Sequence, residues 1–443
     1  MENSRKVAVD VLINVFDRKS YSNITLDKML NSSKLNAQDR ALTTEIVYGT
    51  IKYKYTIDKI IDSFLVEGLS SLDSSILNIL RISIYQIKYL DKVPNFAVVD
   101  EAVELAKKYK SKGASKLVNA VLRNYIRKPD KHSFNRFSSI DAMCSEFSFP
   151  KWLVKLFTKQ YGEALTKKIL KGLNERPCVT VRVNSLKASY DEVFEALQRN
   201  GYVVKEGIIC PDAIMIIRGQ SILKNTLFDE GYFTVQDESA MLVADSMDLC
   251  ENLNVLDLCS APGGKTTHIA EIMNNKGSIE AFDIYENKLE LIQSNLIRLG
   301  INNVKCSIMD AEKYNESLKN SADRVLIDVP CSGLGIIRKK PEIKWNKSNN
   351  QLNALVKIQR NILMNASRYV KVGGSILYST CTLNKDENEN NILWFINNNT
   401  NFEIEPLYFG KGDNLLYSKE GYVTILPNEY MDGFFICKIK RLK

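Results

Sequence analysis

Two cysteines stand where reactive thiols are useful. Cys331 lies in Asp328-Val329-Pro330-Cys331-Ser332-Gly333, and Cys381 in Ser379-Thr380-Cys381-Thr382. Each follows a short apolar run that reads as a strand, at 324–328 and 375–379. In an open α/β sheet, ligands bind beyond the carboxyl ends of the strands, so both thiols are expected at one ligand edge. Cysteine is more often a small buried hydrophobe than a nucleophile. Cys250, Cys306 and Cys437 are expected to be of that kind. A free thiol, with a pKa of ~8.5, is only slightly ionised at neutral pH, so a nucleophile needs local help. Lys265 or a neighbouring backbone donor is expected to supply it.

A third segment adds a cofactor. Asp257-Leu258-Cys259-Ser260-Ala261-Pro262-Gly263-Gly264-Lys265-Thr266 follows a strand and opens a helix. Paired glycines let a ligand approach the backbone, and a helix N-terminus favours negative charge. Asp283 follows about 20 residues later at the end of the next strand, where an acid takes a ribose diol. Turn and acid together point to a nucleoside-bearing cofactor. The rival is a phosphate-binding loop, G-x-x-x-x-G-K-S/T. Gly264-Lys265-Thr266 fits its second half, but Cys259 occupies the first glycine position, so an ATPase ranks below an adenosine site.

Two thiols and an acid beside such a cofactor suit one reaction well. Carbon 5 of a pyrimidine is a poor nucleophile. Thiolate addition at carbon 6 makes carbon 5 enamine-like, able to attack an electrophilic methyl group. An acid near nitrogen 3 would stabilise the charge developing in the ring, and Asp328 is placed for that. The proton on carbon 5 must then leave and the thiol be eliminated. This chemistry alone leaves open which thiol attacks.

The elements that must position these residues follow from apolar periodicity. Strands are expected at 255–258, 278–283, 304–308, 324–328 and 375–379, with helices between them, as at 288–299 and 354–370. Such alternation predicts a parallel doubly wound sheet, an α/β fold. Runs at 423–426 and 434–438 suggest a closing antiparallel hairpin. The first ~145 residues read as an all-α bundle. Val7, Val11 and Val15, then Leu77, Leu80, Ile84 and Ile87, then Leu117, Val121 and Tyr125 mark helical faces. A further amphipathic stretch at 152–173 and strand-like runs at 179–184, 214–217 and 232–235 make a small α+β domain. Expected domain ranges are therefore 1–145, 146–240 and 241–443. The asparagine-rich stretch at 388–401 reads as a solvated loop or helix end.

Composition narrows the class. The 443 residues are 45% hydrophobic and 25% charged, enough to bury real cores rather than stay disordered. Nine cysteines, with no C-x-x-C pair, are too sparse for a disulfide scaffold. His132 and His268 are the only histidines, which argues against a zinc cluster and restricts any Ser-His-Asp triad. Glu2, Asp10 and Asp17 interrupt the N-terminus, unlike a signal peptide. No apolar run approaches ~18 residues. A cytoplasmic protein of a reducing compartment is expected. The net charge of +8 permits nucleic-acid binding without requiring it.

These motifs resemble the S-adenosylmethionine-dependent RNA cytosine-5 methyltransferases, most closely the bacterial Sun/Fmu type, which acts on 16S ribosomal RNA and carries a NusB-like N-terminal domain. Residues 259–265 match that family's cofactor loop and Asp283 its ribose acid. Asp310 matches the acid near the adenine, and Asp328 the acid shared by cofactor and target base. The likeness spans nearly the whole chain. Leu117-Val118-Asn119-Ala120-Val121-Leu122-Arg123 resembles the NusB-like helix, Gln236-Asp237-Glu238-Ser239 the lead-in to the catalytic domain, and Asp432-Gly433-Phe434-Phe435 the closing hairpin. The resemblance implies a Rossmann-like catalytic domain in which Cys381 is the nucleophile and Cys331 helps resolve the adduct. Amino-group methyltransferases carry Asn/Asp-Pro-Pro-aromatic where this chain has Pro330-Cys331.

The implied partner is 16S ribosomal RNA, bound by a monomer without metal or membrane. At 337–345, Lys340 and Glu342 depart from the family's usual wording. With its charge mostly kept, that segment is expected to be an RNA-facing loop with Trp345 available for stacking. The alternative is an RNA-binding or antitermination factor with an inert methyltransferase domain. An unbroken cofactor loop together with Asp328, Cys331 and Cys381 argues against it.

Overall fold

The computed structural model describes residues 3–129 and 139–443; Glu2 and His132 lie outside the described residues. The chain divides into two compact units. One comprises Met1–Asn174 with Ile337–Asn346, the other Glu175–Ile336 with Lys347–Lys443.

The first unit is helical. Its opening helix, Ser4–Asp17, begins where the Asn3 side chain accepts the Lys6 amide at 2.9 Å, satisfying a donor the helix leaves unpaired. Val7, Val11 and Val15 share its buried face. Helix Ser74–Tyr89 is buried on most sides, so it must also house Asn78, Arg81 and Gln86. Arg81 is held by a two-pronged pair with Asp58, at 2.7 and 2.9 Å, and the Gln86 amide donates to the Ile82 carbonyl at 2.9 Å. Burying such groups without partners would be costly. In helix Lys112–Arg127 the inward face includes Val121 and Tyr125, as expected, but not Leu117. Val118, Val121, Leu122 and Tyr125 are buried, while Leu117 is 37% exposed.

Ile337–Asn346 corrects a second expectation. At Glu342, Lys344 and Trp345 it does not face outward toward RNA, because these side chains have internal partners within the first unit. Lys344 is fully buried. Its ammonium donates to the Lys52 and Ser148 carbonyls at 3.1 and 3.2 Å and to Asn174 Oδ1 at 2.9 Å, 3.5 Å from the centroid of the Phe149 ring. Glu342 accepts the Ser22 hydroxyl at 2.7 Å and its amide at 3.2 Å. Trp345 packs against the helical core, and its indole N–H donates to the Ile51 carbonyl at 2.9 Å.

The second unit holds two sheets. Strands β1 (Val179–Val183), β2 (Val203–Glu206), β3 (Ala213–Arg218) and β4 (Phe233–Val235) form an antiparallel sheet in the order β2-β3-β1-β4. The larger sheet contains β5 (Asn254–Asp257), β6 (Ser278–Asp283), β7 (Val304–Ile308), β8 (Ala322–Asp328) and β9 (Val370–Thr380). These five are parallel, in the order β7-β6-β5-β8-β9. Antiparallel strands extend it: β10 (Phe402–Glu405), β11 (Leu415–Tyr417), β12 (Val423–Ile425) and β13 (Phe434–Arg441), with β13 paired to β9, β10 and β12. The expected hairpin is thus β12–β13. Alternate residues of the parallel strands feed two cores. Val255, Ile279, Leu326 and Leu377 face one side, Leu256, Val325, Ile327 and Ile376 the other. The chain order reverses between β5 and β8, which opens a crevice beyond their carboxyl ends. Among the described residues, no helix is long and apolar enough to cross a membrane, and no cluster of three ligand-type side chains could hold a metal.

Candidate active site

The segment after β5 turns sharply into helix Gly264–Ile272. Gly263 makes the turn at φ 98°, and a Cβ there would come within 3.1 Å of Ile292. Gly264 differs: a Cβ on it would meet no atom within 4 Å, because it faces an open cleft. The cleft, about 170 Å³, is lined by Gln236, Asp257, Cys259, Lys265 and Asp328 among others. Asp257 Oδ2 accepts the Thr266 hydroxyl at 2.7 Å, whereas the buried Oδ1 has no partner among the described residues. Burial pushes this carboxyl up to about 7, against the pull of the Thr266 hydrogen bond and helped by the charge of Asp328.

Asp283 ends β6, with 7% of its surface exposed. It accepts the Tyr285 amide at 3.2 Å and lies 3.6 Å from Lys288. Asp310 follows β7, accepting the Glu312 amide at 3.1 Å with Lys313 at 3.4 Å. Both stand on the same strand-end edge but outside the cleft lining that unites Cys259, Lys265 and Asp328. These residues fit a sulfonium nucleoside. The unpartnered Asp257 oxygen suits an ammonium group, Asp283 suits a diol, and Gly264 leaves room.

Strands β8 and β9 run side by side with Asp328 opposite Ser379, and this register joins the two cysteine segments. The sulfur atoms of Cys331 and Cys381 are 3.3 Å apart, too far for a disulfide, and both thiols are free and half-buried. The hydrogen bond with Cys381, then burial, holds the Cys331 thiol well above its ordinary value. Asp328 accepts the Ser379 hydroxyl at 2.8 Å and pairs with Lys265 at 2.6 Å. Burial works against the Lys265 charge, but Asp328 outweighs it and Cys381 adds to it, so the ammonium is held above its usual range. Burial, reinforced by Asp257, keeps the Cys259 thiol protonated. Of the cysteines expected to be core hydrophobes, Cys437 is buried and Cys306 half-buried. Cys250 is exposed, a correction: in the turn before β5 it is Leu249 and Leu253 that pack against the core.

Behind the thiols lies a polar framework that the sequence did not disclose. Glu387 is fully buried. It accepts the Ser332 amide at 2.8 Å, the Ser332 hydroxyl at 2.5 Å, and the Gln359 and Asn384 amides at 3.0 Å each. Ser332 in turn meets the Thr382 hydroxyl at 2.7 Å, bridging the two cysteine loops. Asn388 accepts the Thr380 hydroxyl at 2.6 Å and donates to the Thr382 carbonyl at 2.9 Å. The stretch expected to be solvated is therefore helix Glu389–Asn398 with a buried polar start, in which Asn388 and Asn391 have no exposure. Gly335 donates to the Cys381 carbonyl at 2.9 Å and accepts the Gly433 amide at 2.9 Å. A Cβ on Gly335 would collide with the Gly433 carbonyl at 2.0 Å, so the closing-hairpin glycine locks this loop.

Arg182 of β1 was likewise unread as a site residue. Fully buried, it pairs with both oxygens of Glu271 at 2.8 and 2.9 Å, donates to the Gly264 carbonyl at 2.8 Å, and contacts Gln236. It therefore holds the first turn of the cleft helix. In the same lead-in, the Glu238 carboxylate accepts the Ile208 amide at 3.0 Å and the Cys210 amide at 2.7 Å. Asp237 accepts the Asp432 amide at 3.1 Å.

Comparison with known proteins bears on the whole chain. A family model for the 16S rRNA methyltransferase RsmB/F matches residues 244–440, one for the NusB family residues 2–127, and one for the RsmF/B-like ferredoxin-like domain residues 149–223. The probable ribosomal RNA small subunit methyltransferase B of Bacillus subtilis is 37% identical over 99% of this chain and 98% of its own length. The ribosomal RNA small subunit methyltransferase B of Proteus mirabilis is 31% identical over 99% of both. The crystal structure of PH0851 aligns over 100% of this chain and 99% of its own, with a TM-score of 0.83 at 27% identity. NSun6 from Pyrococcus horikoshii with SFG covers 67% of this chain and 99% of its own, with a TM-score of 0.60 at 24% identity, a likeness of fold. Because relatives more than 30% identical align with it from end to end, the chain belongs to the ribosomal RNA small subunit methyltransferase B family, S-adenosylmethionine-dependent methyltransferases of ribosomal RNA.

Proposed function

We propose that the protein methylates carbon 5 of a cytidine in 16S ribosomal RNA, through a covalent bond between Cys381 and carbon 6 of the base. The reading rests above all on the two thiols 3.3 Å apart beside the Asp328–Lys265 pair. When bound, S-adenosylmethionine supplies an electrophilic methyl group. Asp257 and residues 259–265 would hold it, with Asp283 at the ribose and Asp310 toward the adenine. The target base must leave its stack to reach the thiols, at a cost of about a few kcal/mol.

The Cys381 thiolate adds to carbon 6, and the displaced electron pair spreads into the ring toward nitrogen 3, where the Asp328–Lys265 pair would stabilise it by sharing a proton. Carbon 5 then takes the methyl group. Cys331, after its own proton has passed to solvent, takes the carbon 5 proton as a base, and cleavage of the sulfur–carbon 6 bond restores the aromatic base and returns the electron pair to Cys381. Cys331 fits the later half of this cycle. Its thiol is held protonated chiefly by the hydrogen bond with Cys381. Once the Cys381 sulfur is bonded to carbon it is a poorer acceptor, so Cys331 gives up its proton more readily and can assist resolution.

The same reading makes residues 1–145 and 146–240 RNA-binding domains and 241–443 the catalytic domain, in a cytoplasmic monomer. Mapping 5-methylcytidine in 16S ribosomal RNA from cells with and without the protein tests it. One position is expected to lose its mark. Loss of a methyl group from any other atom would overturn the carbon 5 assignment, and no loss would favour an inert domain.

A further inference from the structure

The second unit holds a cavity larger than the cofactor cleft. It is a groove of about 660 Å³ on the small antiparallel sheet, within the size range of ligand sites. Val179, Ile217 and Val235 present apolar surface in it, each 40–47% exposed, and Tyr430 stands half-buried at its side. Arg176 and Arg218 line it, both exposed and without a carboxylate partner among the described residues. Its one carboxylate, Glu429, is engaged by the Tyr430 hydroxyl. Val235 also lines the cofactor cleft, so groove and cleft adjoin at the end of β4.

Resting on the function proposed above, we infer that this groove seats one or two unpaired nucleotides of the substrate RNA next to the target cytidine. The chemistry matches an unstacked strand. Bases withdrawn from their stack need apolar or aromatic surface, which Val179, Ile217, Val235 and Tyr430 offer. Phosphates need cations that no protein acid has neutralised, which Arg176 and Arg218 supply. A base flipped toward the thiols drags its neighbours along the backbone, and the groove that adjoins the cleft at Val235 is placed to receive them. A peptide segment would find the same apolar floor, but the two free guanidinium groups favour a polyanion.

The test uses the full chain and a 16S ribosomal RNA transcript. In Arg176→Gln/Arg218→Gln, RNA binding should weaken. The slope of log Kd against log salt should become shallower by about 1.4, since each neutralised single-strand phosphate contributes about 0.7. S-adenosylmethionine affinity and melting temperature should stay as in the parent. In the parent chain, photocrosslinking to 4-thiouridine-substituted transcript should label peptides containing Tyr430 or Val179. Unchanged affinity and slope, or crosslinks that avoid these peptides, would overturn the inference, and a groove that captures a protein segment would give that result. Neither readout requires methyl transfer. RNA seated here without any 5-methylcytidine product would sink the proposed reaction while leaving the groove intact.

Discussion

Cys331 and Cys381 face each other at 3.3 Å because β8 and β9 are neighbours in register and Glu387 and Ser332 tie their loops together. Two thiols this close invite division of labour, and their removal should stall different species. Cys381→Ala should form no adduct and be inactive. Cys331→Ala should still attack and methylate, then release slowly and accumulate a covalent protein–RNA complex. A denaturing gel of each variant with cofactor and 16S ribosomal RNA decides. Trapping by the Cys381 variant alone would reverse the roles, and activity in both without trapping would make the thiols structural.

Asp257 supplies a pH dependence with a definite sign. Its carboxyl sits at about 7 in the fold against an ordinary 3.8. Between those values the unfolded chain has released the proton and the folded chain retains it, so this group's contribution to stability falls as pH rises through that window. A bound ammonium reverses the preference by favouring the carboxylate. S-adenosylmethionine affinity should therefore rise from about pH 5.5 to about pH 7, with proton release on binding at the acid end. Calorimetry in buffers of different ionisation enthalpy measures both. In Asp257→Asn the rise and the released proton should disappear; their persistence would place the ammonium elsewhere.

Much of this site was legible because apolar strands end abruptly at motifs of distinctive chemistry. Asp257, Asp283 and Asp328 each close a strand, and a parallel sheet sends such ends to one edge. The Glu387 network was not legible, since a run such as Asn384-Lys385-Asp386-Glu387-Asn388 has the same composition whether solvated or folded inward. Its partners Ser332 and Gln359 are remote in sequence. Arg182 was hidden for a related reason. It interrupts the apolar run of β1 as an outward-facing polar residue would, yet its partner Glu271 comes from a distant helix. The basic segment around Lys344 misled in the opposite sense, because a charge count says nothing about acceptors waiting inside.

Gly264 separates room for the cofactor from stability of the fold. A methyl group there meets nothing in the protein, and alanine is the better helix former by up to about 1 kcal/mol. Gly264→Ala should melt at the parent's temperature or slightly higher without cofactor. The stabilisation that S-adenosylmethionine confers should shrink, because the methyl group occupies the cleft. Thermal melts with and without cofactor show this directly. An undiminished shift would move the cofactor away from this helix end.

Lys344 distinguishes a structural cation from one that binds RNA. Its ammonium has three oxygen acceptors and the face of Phe149, all inside the first unit, and no exposed surface. Lys344→Met keeps most of the aliphatic stem but leaves those acceptors unpaired, which costs about 1–3 kcal/mol. The half-buried Lys340, over the Tyr21 ring at 5.9 Å, should tolerate methionine within about 0.5 kcal/mol. Calorimetric melting of both variants measures the contrast. The salt dependence of RNA binding supplies the second arm. If Lys344 neutralised a phosphate, replacing it would make the slope shallower by about 0.7. The buried position predicts an unchanged slope with a lowered melting temperature. An unchanged melting temperature with a shallower slope would restore this segment to the RNA interface.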